Sequence, residues 1–271
     1  MQKNADRESS QLSEFRVAMR DIPQRVQAAI DKGVETSDTP ATDMPSCAAK
    51  DLLREPLLAK TDKVLRNSDG VLVVCCHTDM PNVTPDMWGW WFGWHMPSTE
   101  RYKLWHPRDH VRSRVAFNAD MASKHGSNYI GQVSMVDEYI GGKLQKLNIA
   151  FDTPAAFGLD QAEADKQGVA ICARTGLRGK AVDAGILVHL VRQTPHGSEM
   201  LSRFWLGETS FKVPIVGPLI TAAMNSKAVR KIMLPDQMGL ALLQHCSEEM
   251  NHLARILPAL FEKFSDSNSA L

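Results

Sequence analysis

The chain has 271 residues, with Lys+Arg and Asp+Glu numbering 31 each, so its formal net charge is zero. That balance gives no footing for nucleic-acid or anionic-membrane binding, which calls for a basic excess. No apolar run approaches membrane-spanning length, the polar start MQKNADRESSQLSEF lacks the apolar core of a signal peptide, and five cysteines without a CxxC pair argue against a disulfide framework; a soluble, reduced, cytoplasmic protein is expected.

In chain order, residues 10–32 carry Phe15, Met19, Ile22, Val26 and Ile30 at helical spacing, the pattern of an amphipathic helix. VETSDTPATDMPS reads as a linker, and a short helix is expected around residues 48–60. From Gly70 the texture turns to β: GVLVVCCHT, VRSRVAFN, YIGQVSMVDEYI, KLQKLNIAF, GVAICART, AGILVHLVRQT and EMLSRFWLGE follow one another, several alternating with period two. Residues 214–229 look like a broken helical passage. Residues 234–264 then form a long amphipathic helix with the stripe Met238, Leu242, Cys246, Leu253, Ile256/Leu257 and Leu260. Six or seven strands before one long helix predict an α+β fold, an antiparallel sheet curled around the C-terminal helix with a ligand cavity between them. The expected division is a helical N-terminal region with linker, residues 1–65, and a sheet-and-helix domain, residues 66–271.

Two hydrophilic residues lie on the apolar stripe of the long helix. His245 and Glu249 stand one turn apart, so both side chains can converge on one point. A buried carboxylate beside an imidazole needs a partner, either a metal ion or a simple His–Glu hydrogen bond. His252, seven residues beyond His245, is a competing ligand. Residues 87–110 hold five of the six tryptophans, Trp88, Trp90, Trp91, Trp94 and Trp105, dense enough to wall a site for a flat aromatic ligand. In HPRDH, Pro107 disfavours a helix through both His106 and His110, so a loop or helix start after a strand is expected there, with Arg108 and Asp109 solvated or paired with each other. Glu138 shares a strand face with Ser134 and Val136, opposite Val133, Met135 and Asp137, and alternation alone does not say which face is inward. His110 or His106, with Glu138, His245 and Glu249, make a two-His, two-carboxylate set, which suits zinc or divalent iron or manganese. Cys246 points about 100° away from His245 on a helix, and Cys75 and Cys76 read as strand core.

WWFGWH, RYKLWHPRDH, DEYIGG and HCSEEMNHLARILP resemble the diacetylphloroglucinol hydrolase family, which includes phloretin hydrolase, over roughly residues 86–260. The resemblance implies a helix-grip domain like that of the plant Bet v 1 proteins, an N-terminal helical region used in homodimerisation, and zinc-dependent cleavage of the carbon–carbon bond between an acyl group and a phenolic ring. It implies His245 and Glu249 as helix ligands of Zn2+, Glu138 as strand ligand, and His110 rather than His106 as the fourth. Glu138, Tyr102 and His106 stand as catalytic candidates, with Tyr102 matching a tyrosine that holds a substrate hydroxyl. His189, Phe204, Trp91 and Trp94 are expected to contact a small aromatic ketone, Phe204 falling where the family has a second tyrosine.

Overall fold

The computed structural model describes residues 2–37, 52–53, 60–116 and 129–265, with side chains from residue 7 onward. Its helices are α1 (Gln2–Gln11), α2 (Gln24–Lys32), α3 (Pro85–His95), α4 (Thr99–Trp105), α5 (Gln161–Gln167), α6 (Gly217–Met224), α7 (Lys227–Met233) and α8 (Asp236–Phe264). Its strands are β1 (Val34–Ser37), β2 (Lys63–Asn67), β3 (Leu72–Pro81), β4 (His110–Ala116), β5 (Val133–Ile140), β6 (Lys143–Asp152), β7 (Gly168–Leu177), β8 (Val182–Thr194) and β9 (Gly197–Phe211).

All nine strands join one sheet in the order β1-β2-β3-β9-β8-β7-β6-β5-β4. The pairing of β1 with β2 is parallel and the rest is antiparallel. The sheet curves around α8, so the fold is the expected α+β arrangement of a sheet gripping a long C-terminal helix. The seven runs read as strands correspond to β3 through β9. Two further strands precede them. Val34–Ser37, expected to be linker, is an edge strand: its backbone pairs with β2 although its side chains give little apolar signal. The expected helix over residues 48–60 lies outside the described residues except for Leu52, Leu53 and Lys60.

The expected single helix over residues 10–32 is broken. A 3-10 turn, Ser13–Phe15, follows α1, and the chain runs without helix to Pro23, where α2 begins. Proline has no N–H to give an upstream helical turn and restricts the residue before it to extended conformations, so Ile22–Pro23 ends one element and starts another. Phe15 and Val26 are buried all the same.

β3 divides the interior by strict alternation. Leu72, Val74 and Cys76 face the cluster shared with α8, which contributes Leu243, Cys246, Met250, Leu253 and Leu257. Val71, Val73 and Cys75 face a second cluster on the outer side with Phe157, Leu159 and Trp205. Both α3 and α4 are capped by side-chain oxygens: Thr84 accepts from Met87 N–H at 3.4 Å and Ser98 from Arg101 N–H at 3.4 Å. Glu8 in α1 receives hydrogen bonds from Ser98 Oγ and Arg101 Nε, both at 2.7 Å, which fastens the N-terminal helix to the tryptophan-rich pair. Among the described residues no helix is long and apolar enough to cross a membrane.

Because Leu253 is fully buried between α8 and the sheet, Leu253→Ala is expected to lower the free energy of unfolding by about 2–5 kcal/mol. Urea denaturation should show a lower midpoint at unchanged slope. Ile232→Ala, at an exposed position of α7, should change stability by less than about 0.5 kcal/mol.

Candidate metal centre and its chamber

Three elements bring the polar side chains together. The β4–β5 register sets His110 directly across from Glu138, and Tyr139 N–H donates to Asp109 C=O at 2.9 Å just beyond it. The preceding segment is not a strand, as expected, but helix α4, whose end at Trp105 passes through the turn of residues 106–109 into β4. From the other side, one turn of α8 presents His245 and Glu249. His110 Nε2 lies 3.4 Å from Glu249 Oε2 and 3.7 Å from Glu138 Oε2, and His245 Nε2 lies 3.9 Å from Glu249 Oε2. Donor atoms of His110, Glu138 and His245 all fall within 4.8 Å of one another, and all four residues are buried.

The protonation pattern follows from the partners. His110 Nδ1 is 3.0 Å from the Tyr102 carbonyl, which can only accept, so the proton sits on Nδ1 and Nε2 offers a lone pair. Burial, with the nearby positive His245, holds the His110 pKa well below the usual imidazole value. Its Nε2, and both ring nitrogens of His245, make no hydrogen bond. A buried lone pair facing two carboxylates is unfavourable unless a cation lies between them. The residues present therefore fit a metal ion.

His106 behaves differently. Its Nδ1 accepts the Asp109 N–H at 3.1 Å, leaving Nε2 as the N–H that donates to Glu248 at 3.1 Å. Its ring stacks on His245 with centroids 4.7 Å apart. It does not line the chamber. Asp109, expected to be solvated or paired with Arg108, faces the histidines instead, its Oδ2 lying 3.6 Å from His245 Nδ1 and 3.5 Å from His106 Nε2. Arg108 pairs with Glu248 at 2.9 Å. A carboxylate behind the second nitrogen of a ligating imidazole fixes its tautomer and orientation. Sequence reading missed Asp109 and Glu248; the available signal was their spacing, three residues from His106 and from His245 respectively. His252, the competing ligand, has no partner for either ring nitrogen and does not join these groups.

Glu138 faces inward with Ser134 and Val136, whereas Asp137 on the opposite face pairs with Arg178. The Tyr102 hydroxyl donates to Glu138 Oε2, and its ring lies flat on His110 with centroids 3.8 Å apart. Burial and the Glu138 charge push the Tyr102 pKa well above the usual phenol value. Burial raises Glu249 to about 8. For His245 burial opposes the charge, but Asp109, Glu249 and Glu138 outweigh it and lift the pKa to about 9.

Of these groups Tyr102, Glu138, His245 and Glu249 line one part of a chamber of about 550 Å3 between sheet and helix, while His110 stands behind them, outside the lining. His189 and Phe204 line it, Phe204 edge-on to the imidazole with centroids 5.5 Å apart. His189 Nδ1 lies 2.8 Å from Ser202 Oγ, and burial lowers its pKa to about 3. Trp91 and Trp94 are not in the lining. Helical rotation turns Phe92 and His95 toward the chamber, while Trp94 packs on Phe264 and beneath the Arg101 guanidinium, 4.5 Å from the ring. Trp91 fills the space between Trp94, His95 and Trp105. The tryptophan-rich block thus gives the aromatic wall Phe92, Tyr102 and Trp105, and the sheet adds Phe151, Phe204 and Phe211. Elsewhere the lining is mostly apolar, interrupted by Lys143, Gln145, Thr175, Thr209, Arg230 and Gln237, and the exposed Leu177 and Met233 mark where it meets solvent.

A sheet gripping a helix around a chamber with a buried His/Glu cluster defines a helix-grip protein with a metal-type donor set. A family profile, the DAPG hydrolase PhiG domain, matches residues 49–262. The chain belongs to that family. It is 28% identical over 198 residues to 2,4-diacetylphloroglucinol hydrolase of Pseudomonas protegens, covering 68% of this chain and 62% of that protein, so the match spans less than two thirds of that relative's length. It is 29% identical over 206 residues to phloretin hydrolase of Eubacterium ramulus, covering 74% of this chain and 71% of that protein. Among solved structures, the KanY protein matches at 12% identity and a TM-score of 0.37, covering 69% of this chain and 94% of that one. A START superfamily protein from Mycobacterium smegmatis matches at 12% and 0.36, covering 71% and 97%.

Both raised pKa values mean proton uptake on folding, so their linkage to stability has one sign. The Glu249 contribution is complete below its unfolded value of 4.5 and is lost as pH rises through about 8; that of His245 is complete below 6.5 and lost through about 9. Metal-free protein is expected to lose on the order of a few kcal/mol between pH 6.5 and 9. Urea unfolding with chelator present measures this, and Glu249→Gln should flatten the profile. Equal stability at the two pH values would contradict the assignment.

Proposed function

We propose that the protein is a zinc-dependent hydrolase that cleaves the carbon–carbon bond between an acyl group and a phenolic ring, with an acylphloroglucinol-like ketone as substrate. The observation that supports this most is the unpartnered Nε2 of His110, held 3.4 Å and 3.7 Å from Glu249 and Glu138, two buried carboxylates that line a chamber walled by aromatic rings. His110, Glu138, His245 and Glu249 would hold the ion, and a nitrogen–oxygen set without thiolate suits zinc. His106 would not, because its one lone pair already accepts the Asp109 N–H. The names of the family's relatives supply the substrate class.

The chemical obstacle is that carbon is a poor leaving group. A phenolic ring overcomes it by first taking a proton at the carbon bearing the acyl group, which makes that ring position a ketone neighbour. Water then adds to the acyl carbon and the bond to the ring carbon breaks. Its electron pair returns to the ring as a phenolate, giving a carboxylic acid and the deacylated phenol. A bound divalent cation would polarise the carbonyl and bring a water pKa down to about 7.

The chain's own residues supply the rest. Glu138 and Glu249 are the carboxylates placed to take a proton from water and pass it on. Tyr102, fixed by its ring contact with His110, directs its O–H at Glu138 and can redirect it to a phenolic oxygen. Phe92 and Trp105 exclude bulk water from the ring, which strengthens each electrostatic contact.

Elemental analysis of purified protein should find stoichiometric zinc in the wild type and in His106→Ala, and loss of metal in His110→Ala and His245→Ala. Conversion of an acylphloroglucinol to phloroglucinol and the free acid, followed by chromatography, should vanish with the metal and return on zinc addition to chelated wild type. Asp109→Asn should retain the fold and lose roughly 10–100-fold in metal affinity or turnover. Substoichiometric metal in an active wild type, or metal without turnover of any acylphenol, would overturn the reading.

A further inference from the structure

His95 closes the WWFGWH run at the end of α3, and no role has yet fallen to it. Its ring is among the most constrained in the molecule. Trp91 stacks on it with centroids 4.9 Å apart and planes at 19°, Trp105 and Phe92 meet it edge-on at 5.2 Å and 5.5 Å, and Tyr102 lies nearly parallel at 6.0 Å. Nδ1 is 2.8 Å from the Trp91 carbonyl one helical turn back. A carbonyl only accepts, so Nδ1 carries the proton and Nε2 is a lone pair. Among the described residues no donor reaches that Nε2, and the ring lines the chamber, so the atom's free valence is turned to whatever occupies it.

We infer that His95 is a specificity-determining residue, whose Nε2 accepts a hydrogen bond from a free hydroxyl on the ring of the substrate. The identity of that ring rests on the hydrolase reading above, whereas the choice of residue rests on the geometry of α3. Burial, with Arg101 nearby, lowers the His95 pKa to about 3, so it stays an acceptor at neutral pH and does not turn into a donor. Among the described residues none of the chamber's polar groups hydrogen-bonds this acceptor, and the Tyr102 hydroxyl donates to Glu138 instead. A phenolic O–H fills the vacancy. A methyl ether at the same position offers no proton and leaves a buried acceptor without a partner, a loss of about ten- to hundredfold in binding or turnover. Rotating the ring away from that penalty would break the Nδ1 hydrogen bond to the Trp91 carbonyl and the stack on Trp91.

The test compares acetylphloroglucinol with its mono-O-methyl ethers, on wild type, His95→Phe and His95→Gln. Wild type should prefer the free phenol over at least one ether by about tenfold or more in kcat/KM. In His95→Phe that preference should collapse because turnover of the free phenol falls while that of the ether changes little. His95→Gln, which keeps an acceptor oxygen, should retain part of it, and zinc content should be the same in all three. A merely structural His95 would lower both substrates alike, so an unchanged preference in folded His95→Phe, or in His95→Gln if the first variant does not fold, overturns the inference. If wild type hydrolyses neither compound the hydrolase reading fails by itself. Dissociation constants for the same probes, from quenching of tryptophan fluorescence, then decide the role of His95, and equal or unmeasurable affinities for phenol and ethers overturn it.

Discussion

The arrangement of this protein turns on one unfavourable contact. His110 commits its proton to the Tyr102 carbonyl, so the nitrogen it presents to Glu138 and Glu249 is a lone pair facing negative charge at 3.7 Å and 3.4 Å, with little water to screen it. The effective dielectric inside a protein makes such a cluster costly. Without a cation the relief available is protonation, which is why Glu249 and His245 both rise, to about 8 and about 9. A divalent ion satisfies the same atoms without borrowing protons. The donor set thus fits positive charge, and in the metal-free chain protons supply it.

Holding four polar groups in so poor an arrangement requires rigid supports. The β4–β5 hairpin fixes His110 across from Glu138 by backbone register, where a shift of one residue would turn Glu138 to the outer face. The helix supplies His245 and Glu249 one turn apart, seated by Leu243, Cys246, Met250 and Leu253 against β3. Between them, Tyr102 lies flat on His110 while His106 lies flat on His245. Large aromatic side chains bury much apolar area beside the cluster, which helps offset its cost. The tryptophans thus act mainly on stability and on the dryness of the site, and only Trp105 of the block touches the chamber.

Much of this was legible before any coordinates. Strands β3 through β9 carry apolar alternation or Val-rich runs, and the pair His245/Glu249 stands out because hydrophilic residues on an apolar helical stripe need a reason. Val34–Ser37 was hidden because an edge strand joins its sheet through the backbone, and VETS has the composition of a turn. The break before Pro23 was signalled by the proline but masked by apolar spacing that runs through it. Other features depend on orientation about an axis. Density made Trp91 and Trp94 look like pocket walls, yet the rotation of α3 turns Phe92 and His95 inward instead. Spacing could not separate His106 from His110 either, since the distinction lies in which nitrogen the Asp109 N–H occupies.

Phe204 carries the consequence furthest. The family resemblance implies a tyrosine at this position; in this chain a phenyl ring lines the chamber there and meets His189 edge-on. A phenyl ring brings no hydroxyl to a polar end that carries the carboxyl groups of Glu138 and Glu249, the His245 imidazole and the Nε2 of His95. Tyr102 is the remaining hydroxyl on the aromatic wall, and it is engaged by Glu138. On the hydrolase reading, a cation among the carboxylates and hydrogen-bond donors on the ligand would satisfy the polar end of the chamber. The apolar stretch through Leu147, Ile149, Leu177 and Met233 asks for nothing but contact. An occupant with hydroxyls at one end and an uncharged, apolar extension at the other meets both demands, and one lacking the hydroxyls meets only the second.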